Sequence, residues 1–123
     1  MILVDTSVWA RHIGRKVDTL SALLEGGEVS LHPFIVGEIA LGNLRRREAV
    51  LADLRLLHQT AVATHEEVMD VVERHKLFGR GIGYVDAHLL AAALLAEDTQ
   101  LWTIDKKLAA AAAELGIAYQ PQT

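Results

Sequence analysis

The sequence predicts an α/β fold with a central parallel sheet and helices on both faces. Short apolar runs alternate with helical segments along the chain, and two of those runs end directly on an aspartate. Strands separated by helices are typical of parallel sheets, because each parallel connection needs a crossover. The chain has 123 residues, 51% of them hydrophobic, so we expect a single domain over residues 1–123 with its own core.

Local patterns predict the elements in chain order. Strands are expected at residues 2–4, 28–31, 61–62, 100–104 and 117–119. Helices are expected at residues 19–24, 33–44, 47–57, 64–79, 85–97 and 106–115. Pro33 suits the first position of a helix, and Thr64 with Glu67 forms a capping box. Gly79 and Gly116 are expected to end the helices that precede them.

The composition limits the class of protein. The chain has no cysteine, which excludes disulfides and thiolate metal sites and is typical of a reducing compartment. Its first residues include an acid at position 5 and no basic segment, so we expect no signal peptide. The longest apolar run, residues 89–96, is far shorter than the roughly 20 residues of a membrane span. We therefore expect a soluble, cytoplasmic protein with no membrane partner.

Charge narrows the functional classes further. The net charge is −4, whereas a protein that only holds nucleic acid is more often basic. If this chain acts on RNA, the excess of acidic residues requires an explanation, because RNA is itself negatively charged. A divalent cation would convert local acid into a centre that attracts RNA.

Four acidic residues stand where a catalytic site would form. Asp5 and Asp105 each follow a predicted strand directly, and ligands of parallel sheets bind beyond the carboxyl ends of strands. Glu38 lies within an apolar helical segment, and Asp86 lies at the start of an Ala/Leu-rich helix. Neither has a Lys or Arg three or four residues away, and buried carboxylates are costly unless paired or metal-bound. Mg²⁺ or Mn²⁺ would supply the partner, since hard cations prefer carboxylate oxygens.

The aspartates also have a structural interpretation. Asp5 and Asp105 could each cap the helix that follows, and Asp86 could serve a helix start because the helix dipole favours negative charge there. Glu38 has no capping role, since it lies well past the proline that begins its helix. One metal centre explains all four acids more economically than three helix starts and a stray glutamate.

At these acids the sequence resembles the PIN-domain family and, within it, the VapC-type toxins of toxin–antitoxin pairs. The matching segments are ILVDTSVW (2–9), VGEI (36–39), YVDAHLLA (84–91) and LWTIDKKL (101–108). They span nearly the whole chain in family order, and no acid is missing. The resemblance implies a PIN-like three-layer fold and Mg²⁺- or Mn²⁺-dependent endonuclease cleavage of structured RNA. It also implies a homodimer and a small cognate antitoxin that inserts a segment near the acids, with DNA involved only indirectly through the antitoxin.

The resemblance carries over residue by residue. The four acids become the metal-binding and catalytic residues, with the first and third foremost: Asp5, Glu38, Asp86 and Asp105. Thr103, and less specifically Ser7, would be polar side chains at the edge of the pocket. Arg11 lies just past the first acid and could face the RNA.

Two further segments have open interpretations. The basic run Arg45-Arg46-Arg47 could hold RNA phosphates or could neutralise the dipole of the helix before it. The glycine-rich segment 79–83 is no dinucleotide fingerprint, because no strand precedes it. It could be a flexible connection, or its backbone N–H groups could meet a phosphate.

Other functional classes share parts of the pattern. A haloacid-type phosphatase needs an acid at position 7, which is Ser7 here. A receiver domain would use a late lysine such as Lys106, but it also needs an aspartate pair near the first strand, which is absent. A non-toxin PIN-domain nuclease and a catalytically silent metal-binding signalling or scaffold domain stay open.

Overall fold

The computed structural model describes residues 1–121 and contains a four-stranded parallel sheet. The strands are β1 (Ile2–Val4), β2 (Val29–Leu31), β3 (His58–Gln59) and β4 (Gln100–Trp102). The helices of the described residues are α1 (Thr6–Gly14), α2 (Asp18–Glu25), α3 (Pro33–Ala40), α4 (Arg47–Arg55), α5 (His65–Arg74), α6 (Tyr84–Leu95) and α7 (Lys106–Glu114). No helix in this part of the chain has the length and apolar character needed to cross a membrane.

The strand order places helices on opposite faces of the sheet. The order is β3-β2-β1-β4, and every pair is parallel. The chain moves outward from β1 to β3 and then returns past β1 to β4. Because parallel crossovers are right-handed, the two directions of travel place their helices on opposite faces. The contacts agree, since α1 packs on α3, α3 on α4, and α5 on α6. The predicted α/β architecture is therefore confirmed.

Buried residues of the sheet and of helix α6 fix the position of the strand ends from which the site residues follow. Leu3 in β1 pairs with Ser30 of β2 and Leu101 of β4, and all three are buried. Helix α6 is apolar on all sides, and its residues 87–93 are all buried, as expected of a helix that runs through a core. Since β1 and β4 are adjacent and parallel, the residues that follow them emerge together.

Several predicted boundaries differ from the structure. The third strand is His58–Gln59, so its prediction at 61–62 is wrong. The bond from the Thr60 N–H to the Leu31 carbonyl is the last one of its pairing with β2, and Val62 is 47% exposed. The last predicted strand, 117–119, is reduced to one bridge between Leu101 and Ala118.

Helices α3 and α5 end well before their predicted ends, and α1 is an additional helix. Helix α3 ends at Ala40 rather than 44, where the Gly42 N–H turns back to the Ile39 carbonyl. Helix α5 ends at Arg74 rather than 79, because Lys76 adopts a left-handed conformation (φ 52°). The capping box of α5 is confirmed. Helix α1 had been considered only through the capping interpretation of the first aspartate.

Candidate active site

Asp5 is the most firmly held of the predicted acids. It follows β1, is only 7% exposed, and donates its backbone N–H to the Trp102 carbonyl at 2.9 Å. Its Oδ2 accepts hydrogen bonds from the Ser7 hydroxyl at 2.7 Å and from the Thr103 hydroxyl at 2.8 Å. Asp5 occupies the N-cap position of α1, as the capping interpretation has it, but its side chain makes no capping bond, so its carboxylate is not used by the helix. Two hydroxyl donors on Oδ2 fix the orientation of the carboxylate, and Oδ1 has no side-chain hydrogen-bond partner among residues 1–121.

The same hydroxyls join two loops at the sheet edge. Ser7 Oγ accepts the Ile104 N–H at 3.2 Å, and Thr103 Oγ1 accepts the Asp105 N–H at 3.1 Å. The two hydroxyl oxygens are 3.3 Å apart. The turn after β1 and the turn after β4 are therefore one hydrogen-bonded unit. In this structure Ser7 and Thr103, predicted as substrate contacts, hold Asp5 in place.

Asp105 serves as a helix cap. Its Oδ1 accepts the backbone N–H of Leu108 at 2.9 Å, at the start of α7. The capping interpretation is therefore confirmed for Asp105. The bond uses one carboxylate oxygen, and the cap leaves Oδ2 without a hydrogen-bond partner within the described residues.

Glu38 reaches the site through a residue that the sequence analysis missed. Glu38 is exposed on α3, and its Oε1 accepts a hydrogen bond from the Thr6 hydroxyl at 2.8 Å. Thr6 is the residue directly after Asp5, so this bond brings the glutamate beside the first aspartate. A hydroxyl directly following a predicted site aspartate was the available signal.

Asp86 is half-buried in the first turn of α6. Burial raises the pKa of its carboxyl, and the negative charge of Asp5 raises it further. A backbone hydrogen bond at Gly83 opposes this pKa shift, while the charges of Asp105 and Glu38 add to it. All three other acids therefore act electrostatically on Asp86.

Comparison with known proteins identifies the family of this chain. The PIN domain family matches residues 2–114. The chain belongs to the PIN-domain family. Ribonuclease VapC32 of Mycobacterium tuberculosis is 48% identical to this PIN-domain chain over 118 residues, which is 96% of this chain and 95% of the relative. The same values hold for the protein of strain CDC 1551 / Oshkosh and for that of strain ATCC 25618 / H37Rv. The resemblance inferred from the four segments is thus confirmed at the level of the family.

PIN-domain ribonucleases generally depend on divalent metal ions, and the donor set of this PIN domain fits such an ion. Its four acids offer hard carboxylate oxygens, which Mg²⁺ and Mn²⁺ prefer. Neither ion pair of the described residues, Arg74–Asp70 or Arg80–Glu114, involves any of these acids, so their charge has no cationic partner there. In residues 1–121, however, no three His, Asp or Glu side chains converge tightly enough to form a ready set of ligands.

The predicted basic contacts are not joined to the acids. Arg11 is exposed in the last turn of α1 and takes no part in the hydrogen bonds or ion pairs of the site described above. Arg47 donates from Nε and Nη2 to the Ala40 carbonyl at 3.1 and 3.0 Å. It therefore satisfies the C-terminal end of α3, which supports the dipole interpretation for this member of the basic run.

Proposed function

We propose that this PIN-domain protein is a Mg²⁺- or Mn²⁺-dependent endoribonuclease that cleaves structured RNA as the toxin of a toxin–antitoxin pair. The observation that carries the proposal is a set of four acids without a cationic partner among the described residues. Hydroxyl bonds join Asp5 to the turn of Asp105 and hold Glu38 on Thr6, and burial together with the charges of these three acids raises the pKa of Asp86. The relatives from M. tuberculosis, which are named ribonucleases, support the substrate class.

The acidic side chains and the hydroxyl side chains have different roles in this proposal. Asp5 and Asp86, with Glu38 and Asp105, would hold the cation. When bound, a divalent cation supplies positive charge for the phosphate and acidifies water at the site. Asp5 enters this role already oriented by two hydroxyls, and the hydroxyl of Thr6 orients Glu38 in the same way. Ligands held by such supporting hydrogen bonds lose less freedom when the cation and RNA bind.

An antitoxin and a second copy of the chain complete the proposal. The acids attract cations of any kind, so a small antitoxin would block the centre by placing a basic side chain beside them. We propose a homodimer from the family resemblance alone. Co-purification with the product of the neighbouring gene tests the antitoxin.

Cleavage of a fluorogenic RNA hairpin tests the enzyme. We expect Asp5→Asn and Asp86→Asn each to lower cleavage by at least ~100-fold in Mg²⁺ or Mn²⁺, because each removes a ligand of the cation. Asp70→Asn is the matched control, since Asp70 is an exposed acid on α5 paired with Arg74. A protein that cleaves fully in the presence of chelator, or an Asp5→Asn variant as active as the control, would contradict the proposal.

A further inference from the structure

A lysine lies directly across the backbone of the glycine-rich segment 79–83. A Cβ placed on Gly81 would stand 2.7 Å from Lys107 Nζ, 3.0 Å from its Cδ and 3.3 Å from its Cε. Gly81 also has φ +74°, a conformation that side chains rarely adopt. Glycine thus meets two requirements here: it permits the turn and leaves space for the lysine stem.

This contact lies where two elements of the site meet. Gly81 is two residues before Gly83, whose Cβ position would be 4.0 Å from Asp86 Oδ2. Two residues of extended chain span at most about 7 Å, so the contact is close to the start of α6. On the other side, Lys107 lies in the first turn of α7, two residues after the cap Asp105.

The charge of Lys107 is not used within the described fold. Neither ion pair of residues 1–121 involves it. Arg80, the neighbouring cation of the segment, is already bound to Glu114 at 2.7 Å. Lys107 is exposed as a residue, and the end of its side chain, from Cδ to Nζ, lies over Gly81.

We propose that Lys107 binds a backbone phosphate of the RNA beside the acidic centre, and that Gly81 exists to hold it there. The inference rests on the proposed ribonuclease function. RNA approaching four carboxylates meets repulsion, which a fixed cation at the rim offsets. A free lysine loses side-chain entropy when it is immobilised. A stem already laid along the glycine loses less on binding, which is the general benefit of preorganisation.

Lys107→Met tests the charge while keeping an unbranched stem, and Lys106→Met is the matched control. Both lysines are exposed in the first turn of α7, but the three atoms nearest to the Gly81 Cβ position all belong to Lys107. Binding of a fluorescent RNA hairpin would be measured by anisotropy between about 50 and 200 mM salt, in an Asp5→Asn background that prevents cleavage.

We expect Lys107→Met to weaken binding about 10-fold and to reduce the slope of log K against log salt by about 1, the value for one lost phosphate contact. Lys106→Met should leave the slope unchanged. Gly81→Ala should also weaken binding by displacing the lysine, and it should add almost nothing in the Lys107→Met background. Thermal melts of each variant separate this loss from unfolding.

The outcomes distinguish this inference from the function beneath it. If the unmodified protein cleaves RNA but Lys107→Met binds with an unchanged salt slope, the role of Lys107 is overturned and the ribonuclease stands. Equal losses in the two methionine variants would also overturn it, because the effect would then be general surface charge. If the unmodified protein neither binds nor cleaves RNA, both proposals fail.

Discussion

Acid is expected to loosen helix α3 at His32, the residue that caps it. His32 is fully buried, and its Nδ1 accepts the backbone N–H of Phe34 at 3.1 Å. Burial, and to a lesser extent the neighbouring His88, lowers the pKa of His32 from 6.5 to about 4. Protonation would place a hydrogen on Nδ1, so that two donors would face each other. It would also put a positive charge at a helix N-terminus, where the dipole disfavours it.

The magnitude follows from the two pKa values. A difference between 6.5 in the unfolded chain and about 4 in the folded chain corresponds to about 3 kcal/mol of free energy of unfolding. The folded pKa is the lower one, so the unfolded chain binds the proton more readily. The stabilisation is therefore complete above pH 6.5 and is lost as the pH falls from 6.5 through 4. A loss of this size is a large part of the 5–15 kcal/mol typical of a domain.

His32→Asn isolates the titration from the cap. Asparagine is a favourable N-cap whose oxygen can accept the same Phe34 N–H, but it does not titrate. Urea unfolding of both proteins between about pH 7.5 and pH 4 gives the free energy at each step. We expect the unmodified protein to lose about 3 kcal/mol more than His32→Asn across this range. His75→Asn, at the half-buried histidine that ends α5, controls for the loss of a histidine.

A parallel loss in the two proteins would refute this reasoning. His88 does not confuse the comparison: burial, then His65, lowers its pKa, but it is present in both proteins. If His32→Asn destabilises equally at every pH, the residue matters for packing or capping and its protonation does not matter. If its curve is as steep as that of the unmodified protein, another group causes the acid sensitivity.

Substitutions at the acidic centre should change the melting temperature or the rate of RNA cleavage, depending on the residue. Asp86→Asn should raise the melting temperature of the metal-free protein at pH 7, because burial and three acids disfavour the ionised form of Asp86. Asp105→Asn should not raise it, because this variant loses the favourable negative charge of a helix cap. An Asp86→Asn variant that melts at a lower temperature than the unmodified protein in chelator would contradict this. Thr103→Val should reduce RNA cleavage by about 10–100-fold, since it removes one of the two hydroxyl bonds that orient Asp5. Thr99→Val, which removes a hydroxyl bound elsewhere, should not reduce cleavage, and equal activity of the two valine variants would exclude that role of Thr103.

The acids at the carboxyl edge of the sheet could be predicted because a general rule of parallel sheets applies to them. An apolar strand followed by an acid places that acid at the carboxyl end, and parallel neighbours bring Asp5 and the turn of Asp105 together. Strand β3 could not be predicted in the same way. His58 and Gln59 are both exposed at the sheet edge, so they show no alternation of apolar and polar residues. The strand was predicted at residues 61–62 instead, because those two residues are apolar.

The hydroxyl bonds of the site could be predicted only in part. Ser7 and Thr103 were identified as polar neighbours of the pocket, but their common partner on Asp5 depends on how α1 leaves the strand. Thr6 was missed because its bond to Glu38 joins residues 32 positions apart. Sequence patterns report the periodicity of one element, whereas these bonds depend on how two elements are placed.

Asp105 shows why capping and metal binding are not alternatives. A carboxylate has two oxygens, and the cap to Leu108 uses only Oδ1. That bond fixes the side chain against α7, while the Asp105 backbone N–H is bound to Thr103, whose hydroxyl also holds Asp5. At the proposed metal centre, the cap would therefore orient the second oxygen and remove part of the entropy cost of binding a cation. At a strand-to-helix turn, the residue that best begins the helix is also well placed to serve the site.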